Sequence, residues 1–201
     1  WLAEARAVRL NLVGGVPVVT GKFLKYTVSS LAVGVAEELL FRGFILQAFA
    51  EGLSTGGAVW LSSFLYSILH FFRGSYYVVP DGSLDLMIGF KVLGEFSRGI
   101  FSRQILHELP EVIGLLLTGV VLAVAFVRTG NLYMSIGLHA GWVFVLKASK
   151  LFLSRKVEPE VQWFYGQSGG AGGVLSWIML IGILLLIMRL YPRRSTDLAA
   201  R

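Results

Sequence analysis

Residues 36–43, with the sequence Ala-Glu-Glu-Leu-Leu-Phe-Arg-Gly, put two adjacent acids and an arginine inside an apolar stretch. A charge at membrane depth is costly, so it needs a partner or a function. Glu38 and Arg42 have the i,i+4 spacing of a salt bridge on one helix face. Glu37 points about 100° away from Glu38, so Arg42 can neutralise Glu38 while Glu37 faces an interior cavity. A purely structural Glu–Arg pair explains Glu38 and Arg42 but not Glu37.

The apolar stretch belongs to a chain whose composition is that of a membrane protein. Hydrophobic residues make up 55% of the 201 residues and charged residues 15%, against about 25% charged in soluble domains. Disordered, collagen-like and polar soluble classes are therefore excluded. There is no Cys, which excludes disulfides, thiolate metal sites and a cysteine nucleophile. A span needs about 20 apolar residues, and the sequence predicts an all-α, polytopic transmembrane bundle of about five spans: 26–50, 56–72, 111–127, 132–146 and 174–190.

The remaining segments predict the domain organisation and the orientation. Residues 1–25 are interpreted as a juxtamembrane segment, 26–191 as the transmembrane helical domain and 192–201 as a polar tail. Residues 73–110 predict a connection that begins with a turn and then becomes amphipathic and interfacial, and its part from Leu84 to Ile105 is a candidate platform for substrate or lipid. Most Lys and Arg residues fall on the N-terminal side, which predicts that this side is cytoplasmic. The net charge of +6 flanks apolar runs and fits anionic lipid rather than nucleic acid.

Two other predicted helices each contribute a histidine. Tyr66 and His70 lie on one helical face, and His139 lies mid-helix among small residues that allow close helix packing. Alone, His70 is an ordinary interfacial histidine and His139 an ordinary helix contact. His107 is expected in a loop, without a role. Taken together, Glu37, His70 and His139 from three helices indicate a site.

Two chemistries fit this set of residues. Glu37, His70 and His139 could bind a divalent metal such as zinc, because His and Glu are zinc ligands, although the His-Glu-x-x-His signature is absent. Alternatively, Glu37 takes a proton from water with the help of His70, and His139 donates a hydrogen bond to the developing oxyanion.

These residues resemble the CAAX protease and bacteriocin-processing (CPBP, or Abi) family of intramembrane endopeptidases. The family pattern is Glu-Glu-x-x-x-Arg, Phe-x-x-x-His and His-x-x-x-Asn on separate helices. Glu37, Glu38 and Arg42 match the first motif. Tyr66 replaces Phe before His70, and Val143 stands where Asn follows His139.

The resemblance implies a membrane fold of about eight helices, so the chain is interpreted as a piece of a longer protein with one to three helices before Trp1. It implies peptide-bond hydrolysis, metal-dependent or glutamate-dependent, with Glu37, His70 and His139 catalytic and Glu38, Arg42 and Tyr66 supporting. We expect a bacterial plasma membrane, surrounding lipids, and a peptide or membrane-protein substrate.

Val143 keeps a second function open, because valine supplies neither a hydrogen-bond donor nor a ligand atom. In this alternative the chain is a weak or inactive membrane subunit that binds a partner complex. An ion-coupled carrier ranks lower, since the sequence has no inverted repeat.

Overall fold

The computed structural model describes residues 16–71, 104–152, 161–166 and 170–192. Within these ranges every regular element is a helix and no strand occurs, in agreement with the all-α prediction. The helices are α1 (Val16–Glu38), a π-helical turn (Leu39–Ile45), α2 (Leu46–Gly52), α3 (Thr55–Phe71), α4 (Gln104–Thr129), α5 (Tyr133–Phe152), α6 (Gln162–Tyr165) and α7 (Val174–Leu190). Most of the predicted amphipathic connection, as far as residue 103, lies outside the described residues.

The first helical stretch begins earlier than the predicted span and is interrupted. α1 begins at Val16, ten residues before the predicted start, and the π-helical turn follows directly after Glu38. A π-helical turn displaces the regular α-helical hydrogen bonds, and such turns are frequent at functional sites. Gln47 donates through Nε2 to the carbonyl oxygen of Gly43 at 2.7 Å, which satisfies one carbonyl of this turn. The irregular segment therefore contains Arg42, one of the charged residues singled out in the sequence.

The prediction that His107 lies in a loop is wrong. α4 begins at Gln104 and continues through Pro110, so residue 107 is helical. Because proline cannot donate a backbone hydrogen bond, the third span was predicted to begin after Pro110.

One helix in the described ranges is long and apolar enough to cross a membrane, namely Leu109–Thr129 within α4. α7 is also an apolar helix, but it has only 17 residues. The number of five spans is therefore not established and stays a prediction.

α4 packs against α3, α5 and α7. The most extensive contacts join α1 to α5, α3 to α4 and α4 to α7. One apolar cluster unites α2, α3 and α4, and the other unites α4 and α7 through Val121, Ala125, Leu180 and Ile187. Because α4 contributes to both clusters, it fixes α3 and α7 relative to each other.

Glycine allows the closest of these approaches. A Cβ atom at Gly119 of α4 would lie 2.9 Å from the Cβ atom of Ser63 in α3. A Cβ atom at Gly34 of α1 would lie 3.1 Å from that of Ala140 in α5. Small residues at such contacts let helix backbones approach closely, so α3 packs tightly against α4, and α1 against α5.

Candidate active site

Glu38 is the last residue of α1 and the centre of a buried ionic cluster. Its Oε1 atom accepts a hydrogen bond from Nη1 of Arg42 at 2.8 Å and lies 2.8 Å from Nδ1 of His139. Arg42 also donates through Nη2 to the carbonyl oxygen of Gly119 at 2.9 Å. Glu38 and Arg42 are essentially inaccessible to solvent. A buried charge requires such partners, so the cluster joins α1 to both α4 and α5.

Glu37 faces the end of α3, where His70 lies. Nε2 of His70 is 2.9 Å from Oε2 of Glu37, and Nδ1 of His70 is 2.9 Å from the carbonyl oxygen of Tyr66. A carbonyl oxygen only accepts, so Nδ1 carries a proton and donates it. Nε2 is therefore the ring nitrogen of His70 that faces the carboxylate of Glu37.

His139 brings α5 to the same carboxylate. Its Nε2 atom lies 3.6 Å from Oε2 of Glu37, while Nδ1 is directed at Glu38. The side chain of His139 is 4% exposed, against 12% for Glu37 and 17% for His70. The structure thus brings together the acid and the two imidazoles that the sequence singled out, and water has more access to Glu37 than to Glu38.

Tyr66 packs against all the other ring systems of the site. Its ring centroid is 4.0 Å from that of His70, 5.0 Å from that of Phe41 and 6.1 Å from that of His139. The guanidinium carbon of Arg42 lies 4.9 Å from the centre of the Tyr66 ring, within the range of a cation–π interaction. An aromatic residue here therefore holds the two imidazoles and the arginine in fixed positions.

The position where the family pattern has Asn contributes no polar atom. Val143 lies one turn after His139 on α5. The neighbouring Trp142 packs against the apolar α4–α7 cluster, so it does not substitute for the amide. Asn131 lies in the loop before α5, where Oδ1 accepts the backbone N–H of Tyr133 at 3.1 Å.

The sequence reading missed two contributors to the site. One is the Gly119 carbonyl, whose only signal is a small residue in an apolar helix. The other is Phe41, which lies between Glu38 and Arg42 in the chain and contacts the Tyr66 ring.

The site residues do not form a ready-made metal site. No group of three or more His, Asp or Glu side chains arranged to hold an ion is found in the part of the chain that the structure describes. The contacts joining Glu37, His70 and His139 are hydrogen-bond-length or slightly longer contacts between the side chains themselves.

Comparison with known proteins identifies the family. A family model described as Rce1-like, type II CAAX prenyl endopeptidase, matches residues 20–145, which include every residue of the site. No curated protein and no solved structure matches the chain. The matched family consists of membrane-embedded proteases, and it agrees with the resemblance drawn from the Glu-Glu and His motifs. The chain belongs to the Rce1-like family of type II CAAX prenyl endopeptidases.

Proposed function

We propose that this chain is an intramembrane endopeptidase in which Glu37 activates the attacking water. The observation that carries the proposal is the convergence on Oε2 of Glu37, which lies 2.9 Å from Nε2 of His70 and 3.6 Å from Nε2 of His139. A general base must lie within hydrogen-bond reach, directly or through one water, of the proton that it abstracts. Glu37 is partly exposed, whereas Glu38 is fully buried and bonded to Arg42.

The proposed reaction begins with proton transfer from water to Glu37. As this proton leaves, the water oxygen forms a bond to the carbonyl carbon, and the carbonyl electron pair moves onto oxygen. When the C–N bond breaks, Glu37 returns the proton to the leaving nitrogen. In the proposed reaction Nε2 of His70 carries a proton and faces Oε2 of Glu37, so Glu37 is a carboxylate that can accept the proton of the water.

His139 is proposed to stabilise the oxyanion through Nε2–H. This role requires a proton on both ring nitrogens, because Nδ1–H is already directed at Glu38. Donors that are positioned before the reaction stabilise developing charge without reorganisation. Glu38 and Arg42 fix the orientation of this imidazole, and Tyr66 packs against it.

Replacing Glu37 by Ala tests the proposal. We expect Glu37→Ala to abolish cleavage of a fluorogenic peptide ending in a prenylated CAAX motif, the substrate class named for the family, while the protein still accumulates in membranes. The matched control is Glu51→Ala, which removes an exposed acid of α2 and should leave cleavage unchanged. Undiminished cleavage by accumulated Glu37→Ala protein would overturn the proposal.

Whether the reaction depends on a metal ion is a separate question, which concerns the same three side chains, Glu37, His70 and His139. Each imidazole directs Nδ1 to an oxygen and Nε2 towards Glu37, an orientation typical of metal-binding histidines. However, the described carboxylates and imidazoles do not form a ready-made group of ligands, and no step above uses a metal. Dialysis against a chelator, followed by zinc addition, decides between the two mechanisms: activity that survives dialysis supports the glutamate-dependent one.

A non-catalytic membrane subunit is the second candidate, and Val143 is the observation that favours it. If this candidate is correct, the chain co-purifies with a larger complex, and Glu37→Ala does not change that association. The Glu37→Ala variant therefore distinguishes the two functions in one preparation.

The proposed membrane arrangement is that of a polytopic protein of the bacterial plasma membrane with the N-terminal side cytoplasmic. The absence of Cys in the sequence makes single-cysteine labelling straightforward. Cysteine at position 25 of α1 should react with an impermeant reagent only from the cytoplasmic side, and cysteine at position 131 only from the opposite side.

A further inference from the structure

A pocket of about 630 Å³ lies where α4 ends, α5 begins and α7 ends. Its described lining includes Arg128, Asn131, Tyr133 and Tyr191, and it contains no Asp or Glu and no residue of the candidate active site. Nη1 of Arg128 donates to the carbonyl oxygen of Tyr191 at 2.9 Å. A guanidinium group has five N–H donors, so this contact leaves donors for a ligand. The described part of the pocket therefore offers a positive charge without a carboxylate to neutralise it.

Arg128 lies at the depth expected for lipid headgroups. It is the penultimate residue of Leu109–Thr129, the stretch of α4 that is long and apolar enough to cross a membrane. Tyr133 and Tyr191, which line the same pocket, are 84% and 41% exposed. Tyrosine is enriched at the membrane–water interface, where its ring lies among the headgroups. An arginine next to two exposed tyrosines at the end of a span is therefore expected to meet the phosphate layer of the bilayer.

A second pocket, of about 500 Å³, lies next to the first, since Asn131 and Tyr133 line both. Its lining extends from the loop between α4 and α5 to Leu39 of the π-helical turn, Phe126 of α4 and Ile136 of α5. Ile136 lies three residues inside α5, so this pocket leads from the helix ends towards the apolar part of the bundle. A charged pocket beside a mostly apolar one matches an amphiphile better than a free ion.

We propose that the two pockets bind one anionic phospholipid, with its phosphate at Arg128 and one acyl chain between Leu39, Phe126 and Ile136. The planar fork of an arginine side chain is complementary to phosphate oxygens, and basic pockets between membrane-spanning helices bind anionic headgroups. A zwitterionic lipid brings its own ammonium group to the guanidinium, so the charge of Arg128 favours the anionic lipid. This inference goes beyond the proposed protease activity, because none of its residues takes part in the proposed reaction.

Competition between two lipids tests the proposal. The protein is purified in an uncharged detergent and mixed with equal amounts of phosphatidylglycerol and phosphatidylcholine, and the bound lipid is identified by native mass spectrometry. We expect the unmodified protein to retain phosphatidylglycerol in preference. Arg128→Gln should raise the Kd for phosphatidylglycerol about 10-fold, because a hydrogen bond between charged groups is lost, and should leave the Kd for phosphatidylcholine unchanged.

Arg189→Gln is the matched control, since it removes an exposed arginine of α7 that does not line the pocket. Equal losses of phosphatidylglycerol in Arg189→Gln and Arg128→Gln would overturn the proposal in favour of general surface charge. Equal retention of the two lipids by the unmodified protein, or unchanged binding by folded Arg128→Gln protein, would also overturn it.

Two further arms test the amphiphilic character of the ligand and do not require Arg128 to be changed. Ile136→Trp narrows the second pocket and should weaken the binding of phosphatidylglycerol in protein whose unfolding transition is unaltered. Unchanged binding in this variant would overturn the position of the acyl chain. Inorganic phosphate in excess should not displace phosphatidylglycerol from the unmodified protein, and its displacement would overturn the lipid assignment in favour of a site for free phosphate.

Discussion

The α1–α5 contact and the α4–α7 contact join neighbouring helices by opposite means. The first contains hydrogen bonds between specific atoms, above all those of Glu38 with Arg42 and His139. The second contains only apolar side chains in its core, among them Leu180 and Ile187. Removing one partner of a polar contact strongly lowers stability, because the other partner stays buried with an unpaired charge. An apolar contact loses stability in proportion to the volume removed. A single substitution in the α1–α5 contact, where the site lies, therefore affects particular partner atoms, whereas a substitution in the α4–α7 contact affects only packing.

The largest loss of stability is expected at the polar contact. Glu38→Ala leaves Arg42 buried without its acid and should lower the free energy of unfolding by about 3–5 kcal/mol. The double variant Glu38→Met/Arg42→Met removes both charges and should recover most of that loss while remaining inactive. Denaturant unfolding in detergent measures both. A double variant as unstable as Glu38→Ala would contradict this account of the polar contact.

A substitution in the α4–α7 contact should lower the stability of the protein without changing its catalytic activity. Leu180→Ala creates a cavity between α4 and α7 and should cost about 3 kcal/mol. At a temperature where the variant is fully folded, kcat/KM should equal that of the unmodified protein. A fall in kcat/KM in the folded variant would mean that the two contacts are not independent.

Val143→Asn adds a hydrogen-bond donor to the α1–α5 side of the comparison. One oxyanion donor contributes about 10²–10³ in rate where it is well positioned, so we expect cleavage to accelerate by about 10-fold or more. Val145→Asn is the control, because residue 145 is exposed on the same helix. If both variants leave the rate unchanged, the valine position takes no part in the reaction.

Tyr66→Phe should have the smallest effect. The ring contacts with His70, Phe41 and Arg42 remain, and Phe is the residue of the family pattern. Cleavage should stay within about 3-fold and the free energy of unfolding within about 1 kcal/mol, the size of one net hydrogen bond. Tyr66→Ala, in contrast, removes the ring that packs both imidazoles and should abolish activity in protein that still folds.

The contact between Glu38 and Arg42 could be anticipated from the sequence because it follows from helical spacing and from the cost of a charge among apolar residues. The proximity of His70 and His139 to Glu37 was predicted from the cost of ionisable side chains in apolar helices together with the family motifs, since no local rule relates residues on three helices. The contact of Arg42 with the Gly119 carbonyl could not be anticipated, because it depends on how closely the π-helical turn approaches α4.

The helix boundaries, like the side-chain contacts, could be predicted only in part. The π-helical turn at Leu39–Ile45 has no composition signal, and α4 continues through Pro110 despite the proline. Packing against neighbouring helices overrides local propensity at both places. The long helices were therefore predictable as helices, whereas their ends were set by tertiary contacts.

A double-mutant cycle on Glu37 and His70 tests the central claim most directly. If the two side chains act as one unit on the attacking water, Glu37→Gln and His70→Gln should each reduce kcat/KM to background, and the double variant should lose no more than either single one. Folding of all three variants is checked by their unfolding transitions. Losses that add in free energy, or activity retained in Glu37→Gln, would contradict the claim that the two residues act as one unit in the reaction.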